Sequence, residues 1–319
     1  VLKRPSSPIM RVSATCTPKS RYVSMISSTA RRCATWWRLL SVVADFCALS
    51  QNVFIIKQVD FLWISDNTPG GYDKVGEMLD VCGENIYYSP MGDNVGIAKA
   101  QNEGVRFAIN NDFDFIYFLD QDSISPDGIV KNLKDCFLNI EGFGIKIGGI
   151  GPLPFNRGTG LPYEVDSIGE IEGCDGFGEV RHLMNSASLI RVSLFREVGL
   201  MDEWLFIDGV DYEICWRANH LVGYRFFINN SLHLSHQLGE GDKKFLGASL
   251  KISTPFRTYY QFRNYFYLLR KDYVPISWKI KNGMKYIAKY FYYPIFCKPR
   301  MQYFKNINRG IIDGIHQYR

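Results

Sequence analysis

The chain is predicted to form a layered α/β domain around a mixed, mostly parallel sheet flanked by helices. Two observations carry this. From Val59 to about Leu153, short apolar runs alternate with stretches whose apolar residues recur at helical spacing. Two of the apolar runs also end in Asp, at Asp66 and Asp120, followed by turn-forming residues. Alternation of this kind builds βαβ units, and such sheets take ligands beyond the carboxyl ends of their strands.

The elements follow in order. "VDFLWIS" reads as a buried strand closed by Asp66-Asn67 and "TPGG". "YDKVGEMLDVCG" reads as a helix, with Val75, Met78, Leu79 and Cys82 on one face and Gly83 as its stop. "NIYYS" is a short strand, "GIAKAQNEGVRFAIN" a helix and "FDFIYFL" the next strand. Ser125 is expected to cap a helix with Pro126 at its first position, continuing through "GIVKNLKDCFLNI". "KIGGIGPL" is another strand, and residues 156–180, rich in Gly and acids, read as a surface loop or small insertion. "SASLIRVSLFREVG" gives a strand and a short helix, and "FIDGVDYEICWRANHLVGY" an acidic cluster opening a helix. After Tyr259 the chain turns aromatic and basic and is expected to be helical. The first fifty residues show no clear periodicity and no strand run. The division expected is an atypical segment over 1–57, the α/β domain over 58–258 and a helical extension over 259–319.

Composition narrows the class. Of 319 residues, 46% are hydrophobic and 22% charged, as in an ordinary globular protein. A net charge of +5 is too mild to argue for a nucleic-acid partner. The eight cysteines make no Cys-x-x-Cys pair and read as reduced thiols of a cytoplasmic protein. No apolar run reaches the roughly 18–20 residues of a membrane span. The nearest candidate, "WWRLLSVVADFCALS", is interrupted by Arg38 and Asp45, and no signal peptide is expected.

Four constellations carry chemistry. Asp120 and Asp122, one residue apart at a strand end, read either as a solvated turn or as ligands of a hard cation on a diphosphate. Asn94 and Gly96 open a helix whose N–H groups favour anions, with Asn102 two turns on. Asp208, Asp211 and Glu213 cluster before Arg217. Asp211 and Glu213 cannot face the same way, so one of them is expected to point into a cleft, where a carboxylate can take a proton from a hydroxyl. His233 and His236 lie near Glu240, and His236 is the candidate to approach a metal or phosphate.

In this order these pieces resemble the rhamnosyltransferase-like branch of glycosyltransferase family 2, from about Val59 to Tyr273. "ISDN", "NVGIAKAQNEG", "FLDQDS", "NSASLIRVSLFREVGLMDEWLFIDGVDYEICWRA", "LSHQLGE" and "FRNYFYLLRK" each look like a motif of that branch. The resemblance implies a GT-A fold and inverting transfer from a nucleoside diphosphate sugar, dTDP-rhamnose by branch. The acceptor implied is a lipid-linked, growing cell-surface glycan such as O-antigen or capsule. By position, Asp66, Asn67, Asn94, Gly96, Asn102 and Asp120 would hold the nucleotide sugar. Asp120, Asp122 and His236 would hold Mg²⁺ or Mn²⁺. Asp211 would be the base, with Asp208 and Glu213 as supporting acids. Ser186, Arg263 and Asn264 would lie in the acceptor region.

The sequence departs from the family at the front. "MRVSA" at Met10 looks like the start of the family's first strand, but "TCTPKSRYV" follows and the strand is lost. A frame disruption there would remove a central strand and leave a catalytically impaired, sugar-nucleotide-binding remnant. A haloacid-dehalogenase-type phosphatase is a further alternative, because it also ends an apolar strand in Asp-x-Asp. The aromatic, basic tail suits peripheral contact with the inner face of the plasma membrane.

Overall fold

The computed structural model describes residues 39–43, 53–71, 85–120, 123, 125–156, 160–163, 165–170, 176–236, 242–245 and 248–316. All of them fall in the second of two compact units, Trp37–Arg319. The helix expected over 72–83, the strand start at Met10 and the side chains of Asp122 and His236 lie outside the described residues.

The first half alternates strands and helices. Leu39–Val43 is β1, Phe61–Asp66 β2, Ile86–Pro90 β3, Ile97–Asn110 α1, Phe115–Leu119 β4, Ile129–Gly142 α2 and Ile147–Asn156 β5. Ser167–Glu170 and Phe177–Val180 form β6 and β7, Ser188–Arg191 β8, Val192–Val198 α3, Val210–Val222 α4 and Arg225–His236 β9. Asp242–Phe245 (β10) and Ala248–Lys251 (β11) pair as a separate antiparallel ribbon. Pro255–Leu269 (α5), Ile276–Phe296 (α6) and Arg300–His316 (α7) form the helical tail.

Among the described residues the main sheet has nine strands in the order β3-β2-β1-β4-β8-β5-β9-β7-β6. The first four are parallel, β8 is antiparallel to both β4 and β5, and β5 is parallel to β9. Strand β4 shows why its text is apolar throughout. Phe115, Tyr117 and Leu119 enter one core with Leu133 and Phe137 of α2. Ile116 and Phe118 enter the other, with Val105 of α1 and Ile214 of α4. A strand buried on both faces has no polar side to alternate with.

Three sequence expectations are corrected here. The central place between β2 and β4, expected to lack its strand, is filled by Leu39–Val43, with Val43 opposite Ile64 and Leu119. Arg38 and Asp45 rule out a span of about 20 residues, but they lie just outside a strand of five. Residues 156–180 are not simply loop: β6 and β7 pair antiparallel and join the sheet through β9. Charged and Gly-rich text at a sheet edge is what keeps an edge strand from pairing with other chains. Ser125 does not cap α2. That helix starts at Ile129 behind Gly128, whose φ is 72°. The Ser125 hydroxyl instead lies 2.8 Å from the Tyr117 hydroxyl, inside the fold.

The tail has its own small core of Phe262, Tyr292, Tyr293, Cys297, Tyr303 and Ile307. Thr254 caps α5 by accepting a bond from the Arg257 N–H, with Pro255 at the first turn. Helices α5 and α7 pack with backbones close together. A Cβ at Gly314 would stand 2.6 Å from the Arg263 carbonyl oxygen.

Candidate active site

The carboxyl ends of the parallel strands open into a cleft of about 700 Å³. Asn67 and Thr68 reach it from beyond β2, Asn94 and Gly96 from the loop before α1, and Asp120 from the end of β4. The loop Phe206–Gly209 and the first turn of α4, with Asp211 and Tyr212, face them. Arg257, Gln261 and Asn264 of α5 and Trp278, Asn282 and Tyr286 of α6 close the far side. This is where an open α/β sheet places ligands.

The two acids opening α4 part company, as their spacing requires. Asp211 lines the cleft. Burial pushes its carboxyl from 3.8 up to about 6, against the pull of the backbone N–H groups of Tyr212, Asp211 and Asn185, while the charge of Asp208 adds to the rise. Glu213 points the other way and is 1% exposed. It accepts from Arg217 at 2.7 and 3.0 Å and from the Tyr273 hydroxyl at 2.7 Å. Glu213 therefore anchors α4 within the fold.

Asp208 stands at the cleft edge, and Arg257 of α5 grips its carboxylate in a fork at 2.5–3.0 Å. This ion pair raises the Arg257 guanidinium's pKa, and the charges of Asp211 and Asp120 add to the effect. Arg257 is the cleft cation that the sequence reading missed. Within a tail of many Lys, Arg and aromatic residues, nothing local sets it apart.

The remaining expected residues divide. Asn67 accepts from the Val95 N–H at 3.3 Å, tying the loop beyond β2 to the start of α1. Asp66 is fully buried beneath them and accepts from the Thr68 N–H at 2.9 Å and from the Tyr88 hydroxyl. Asn102 does not line the cleft. Its amide bonds the Met201 carbonyl and N–H at 2.9 and 3.0 Å and Glu203 at 3.0 Å, clasping α1 to the chain after α3. Ser186 is buried, its hydroxyl against that of Ser123. Arg263 reaches the Trp204 carbonyl and the Asn264 amide oxygen. Asp120 is at the cleft, while the side chains of Asp122 and His236 lie outside the described residues.

Gly96 has a steric task. Its φ is 85°, and an added Cβ would stand 2.5 Å from the Phe206 ring. Gly96→Ala should therefore cost about 2 kcal/mol, from backbone strain and a displaced ring. A denaturant melt checks this; an unchanged midpoint would show that the ring yields freely.

No protein-family model matches the chain. The chain is 30% identical over 244 residues to the dTDP-rhamnosyl transferase RfbF of Shigella flexneri, an alignment covering 73% of this chain and 79% of that protein. The fold is similar to that of TarS 1–349 of S. aureus, with a TM-score of 0.50 at 13% identity over 88% of this chain and 81% of that one. In complex with UDP-GlcNAc, the same TarS fragment gives 0.51 at 13% identity, over 86% and 81%. GalNAc-T7 with UDP, GalNAc and Mn²⁺ gives 0.52 at 13% identity, over 89% and 57%. The structural likenesses establish the GT-A fold. The sequence relative establishes more. The chain is a glycosyltransferase that uses a sugar nucleotide, and it belongs to the rhamnosyltransferase-like branch of glycosyltransferase family 2.

Proposed function

We propose that this enzyme moves rhamnose from dTDP-rhamnose to a hydroxyl of a growing, lipid-linked cell-surface glycan, with inversion at the anomeric carbon. The observation that carries the mechanism is the state of the three acids around the start of α4. Asp208 is matched by Arg257 and Glu213 by Arg217, whereas Asp211 faces the cleft with its pKa raised to about 6. An acceptor hydroxyl ionises far above neutral pH and needs a base as it attacks. Asp211, ionised near neutrality yet more basic than an exposed Asp, fits that task. The donor diphosphate fits the opposite wall, where Asp120 ends β4 and can reach it through a cation; the N–H groups that open α1 do not serve it, because those of Ile97 and Ala98 already donate to the Phe206 carbonyl. A base on one side and the leaving group on the other give direct displacement.

Hard divalent cations take oxygen ligands, and Asp120 places a carboxylate in the cleft that suits one. Asp122 and His236 are the further ligands we assign to Mg²⁺ or Mn²⁺. Among the described residues no group of three acids, His or Cys gathers. When bound, such a cation would neutralise charge on the departing diphosphate. A lipid-linked acceptor would bring the enzyme to the cytoplasmic face of the plasma membrane.

The test is a donor screen by thermal shift with the cation present and absent, followed by transfer to lipid-linked acceptors. Metal-dependent stabilisation by dTDP-rhamnose above other nucleotide sugars is the expected result. Asp120→Asn should weaken metal-dependent donor binding at least about tenfold, as measured by calorimetry. Binding without transfer to any acceptor would leave a sugar-nucleotide-binding remnant. No binding by any nucleotide sugar would overturn the donor assignment.

A further inference from the structure

Helix α6 has two faces with different chemistry. Trp278, Asn282 and Tyr286, at steps of four, line the cleft, and Tyr293 continues that side into the tail core. On the opposite side, Ile276, Ile280, Met284, Ile287, Phe291 and Ile295 follow one another at steps of four, four, three, four and four. Each of the six is 53–70% exposed. At 1.5 Å per residue they form an apolar stripe about 29 Å long. Soluble monomers rarely leave so long an apolar run in water. On α7, Met301 and Phe304 add further exposed apolar surface.

The charge around the stripe is one-sided. Between Ile276 and Ile312 the chain carries Lys279, Lys281, Lys285, Lys289, Lys298, Arg300, Lys305 and Arg309, with no Asp or Glu. Lys281 and Lys285 are exposed and flank the stripe. A second copy of the chain docked symmetrically on this face would set one basic flank against another, with no Asp or Glu in the sequence of α6 to offset it. An anionic lipid surface satisfies both features at once: its acyl boundary takes the apolar side chains and its headgroups take the lysines. Among the described residues no helix is long and apolar enough to cross a membrane, which leaves α6 to lie in the plane.

We infer that the outer face of α6 docks the enzyme on an anionic phospholipid bilayer. The opposite face of the same helix walls the cleft, so docking sets that wall one helix thickness, about 10 Å, from the headgroups. The inference uses neither the donor nor the acceptor, and its test is separate from theirs.

The test is sedimentation of the full chain with vesicles of phosphatidylcholine alone or with phosphatidylglycerol, without nucleotide. Binding to the phosphatidylglycerol vesicles that falls with added salt is expected. Ile280→Glu with Ile287→Glu should weaken it roughly 100-fold, and Lys281→Glu with Lys285→Glu at least about tenfold. These four positions are exposed and outside the cleft, so the melting temperature without ligand should match the parent chain's and confirm folding. The proposal fails if the parent chain ignores both vesicle types, if it binds both equally, or if either double variant binds like the parent. It also fails if the parent chain is a dimer without lipid and Ile280→Glu with Ile287→Glu makes it a monomer.

Discussion

Asp211→Asn should lower kcat by about three orders of magnitude while leaving donor affinity within about twofold, since a positioned general base contributes roughly 10²–10⁴-fold. Asn keeps the shape and cannot take the acceptor's proton. It also leaves Asp120 and the strand-end loops of the donor side untouched. Two further readouts separate this role from a structural one. The base works only when ionised, so the parent rate should rise with pH through about 6 and level off above it; that rise should vanish in the residual rate of the variant. Stability should move the other way. Asp211 binds its proton more tightly folded than unfolded, its pKa rising from 3.8 to about 6. The fold therefore loses stability as pH climbs between those values, and above about 6 it carries a constant cost of up to about 3 kcal/mol. Asn carries no such cost, so the variant should melt higher than the parent at neutral pH. A variant that transfers at the parental rate, or that melts lower, would remove Asp211 from the base position.

What could be read from the sequence, and what could not, follows from the range of the interactions. Strand β4 and helix α1 were legible because burial on both faces and helical periodicity are local patterns. The divergence of Asp211 from Glu213 was legible too, since helical geometry alone separates residues two apart. Strand β1 was not. Its four apolar residues and one Ser carry no pattern of their own, and the place is defined by β2 and β4, whose partners lie 21 residues along for Leu40–Phe61 and 76 for Val43–Leu119. The Ser125 cap failed because two signals competed: a Ser-Pro that fits a helix start, and a buried Tyr117 hydroxyl that needed a partner. Arg257 could not be picked out because its partner, Asp208, is 49 residues away. Asn102 and Asn264 were placed at the nucleotide and in the acceptor region by the resemblance, and a motif position looks the same in sequence whether the amide serves a ligand or, as here, also holds backbone groups.

Asn264→Ala is the second large effect, and its argument rests on the loop before α4. Phe206 and Asp208 both hold left-handed φ values, 61° and 66°. Such conformations cost roughly 1–3 kcal/mol each and persist only where the surroundings hold them. Asn264 is 2% exposed. Its Nδ2 donates to the carbonyls of Leu205, Ile207 and Asp208 at 2.7, 2.7 and 2.9 Å. Its Oδ1 accepts from Arg263 at 3.0 and 2.9 Å. Truncation leaves buried carbonyls without their donor, at about 1–3 kcal/mol for each group that water cannot reach. A loss of about 3 kcal/mol in a denaturant melt is expected. Function should fall with it, because the loop carries three parts of the site. The Phe206 carbonyl accepts from the Ile97 N–H at 2.7 Å and fixes the start of α1. The Phe206 ring covers Gly96, and Asp208 holds Arg257 at the cleft edge. With the loop released, donor KM should rise and kcat should fall together, each by at least about tenfold. Under the alternative, in which Asn264 serves the acceptor alone, acceptor KM would rise while the melt and donor KM stayed parental. That outcome would show that the loop holds its strained shape without Asn264.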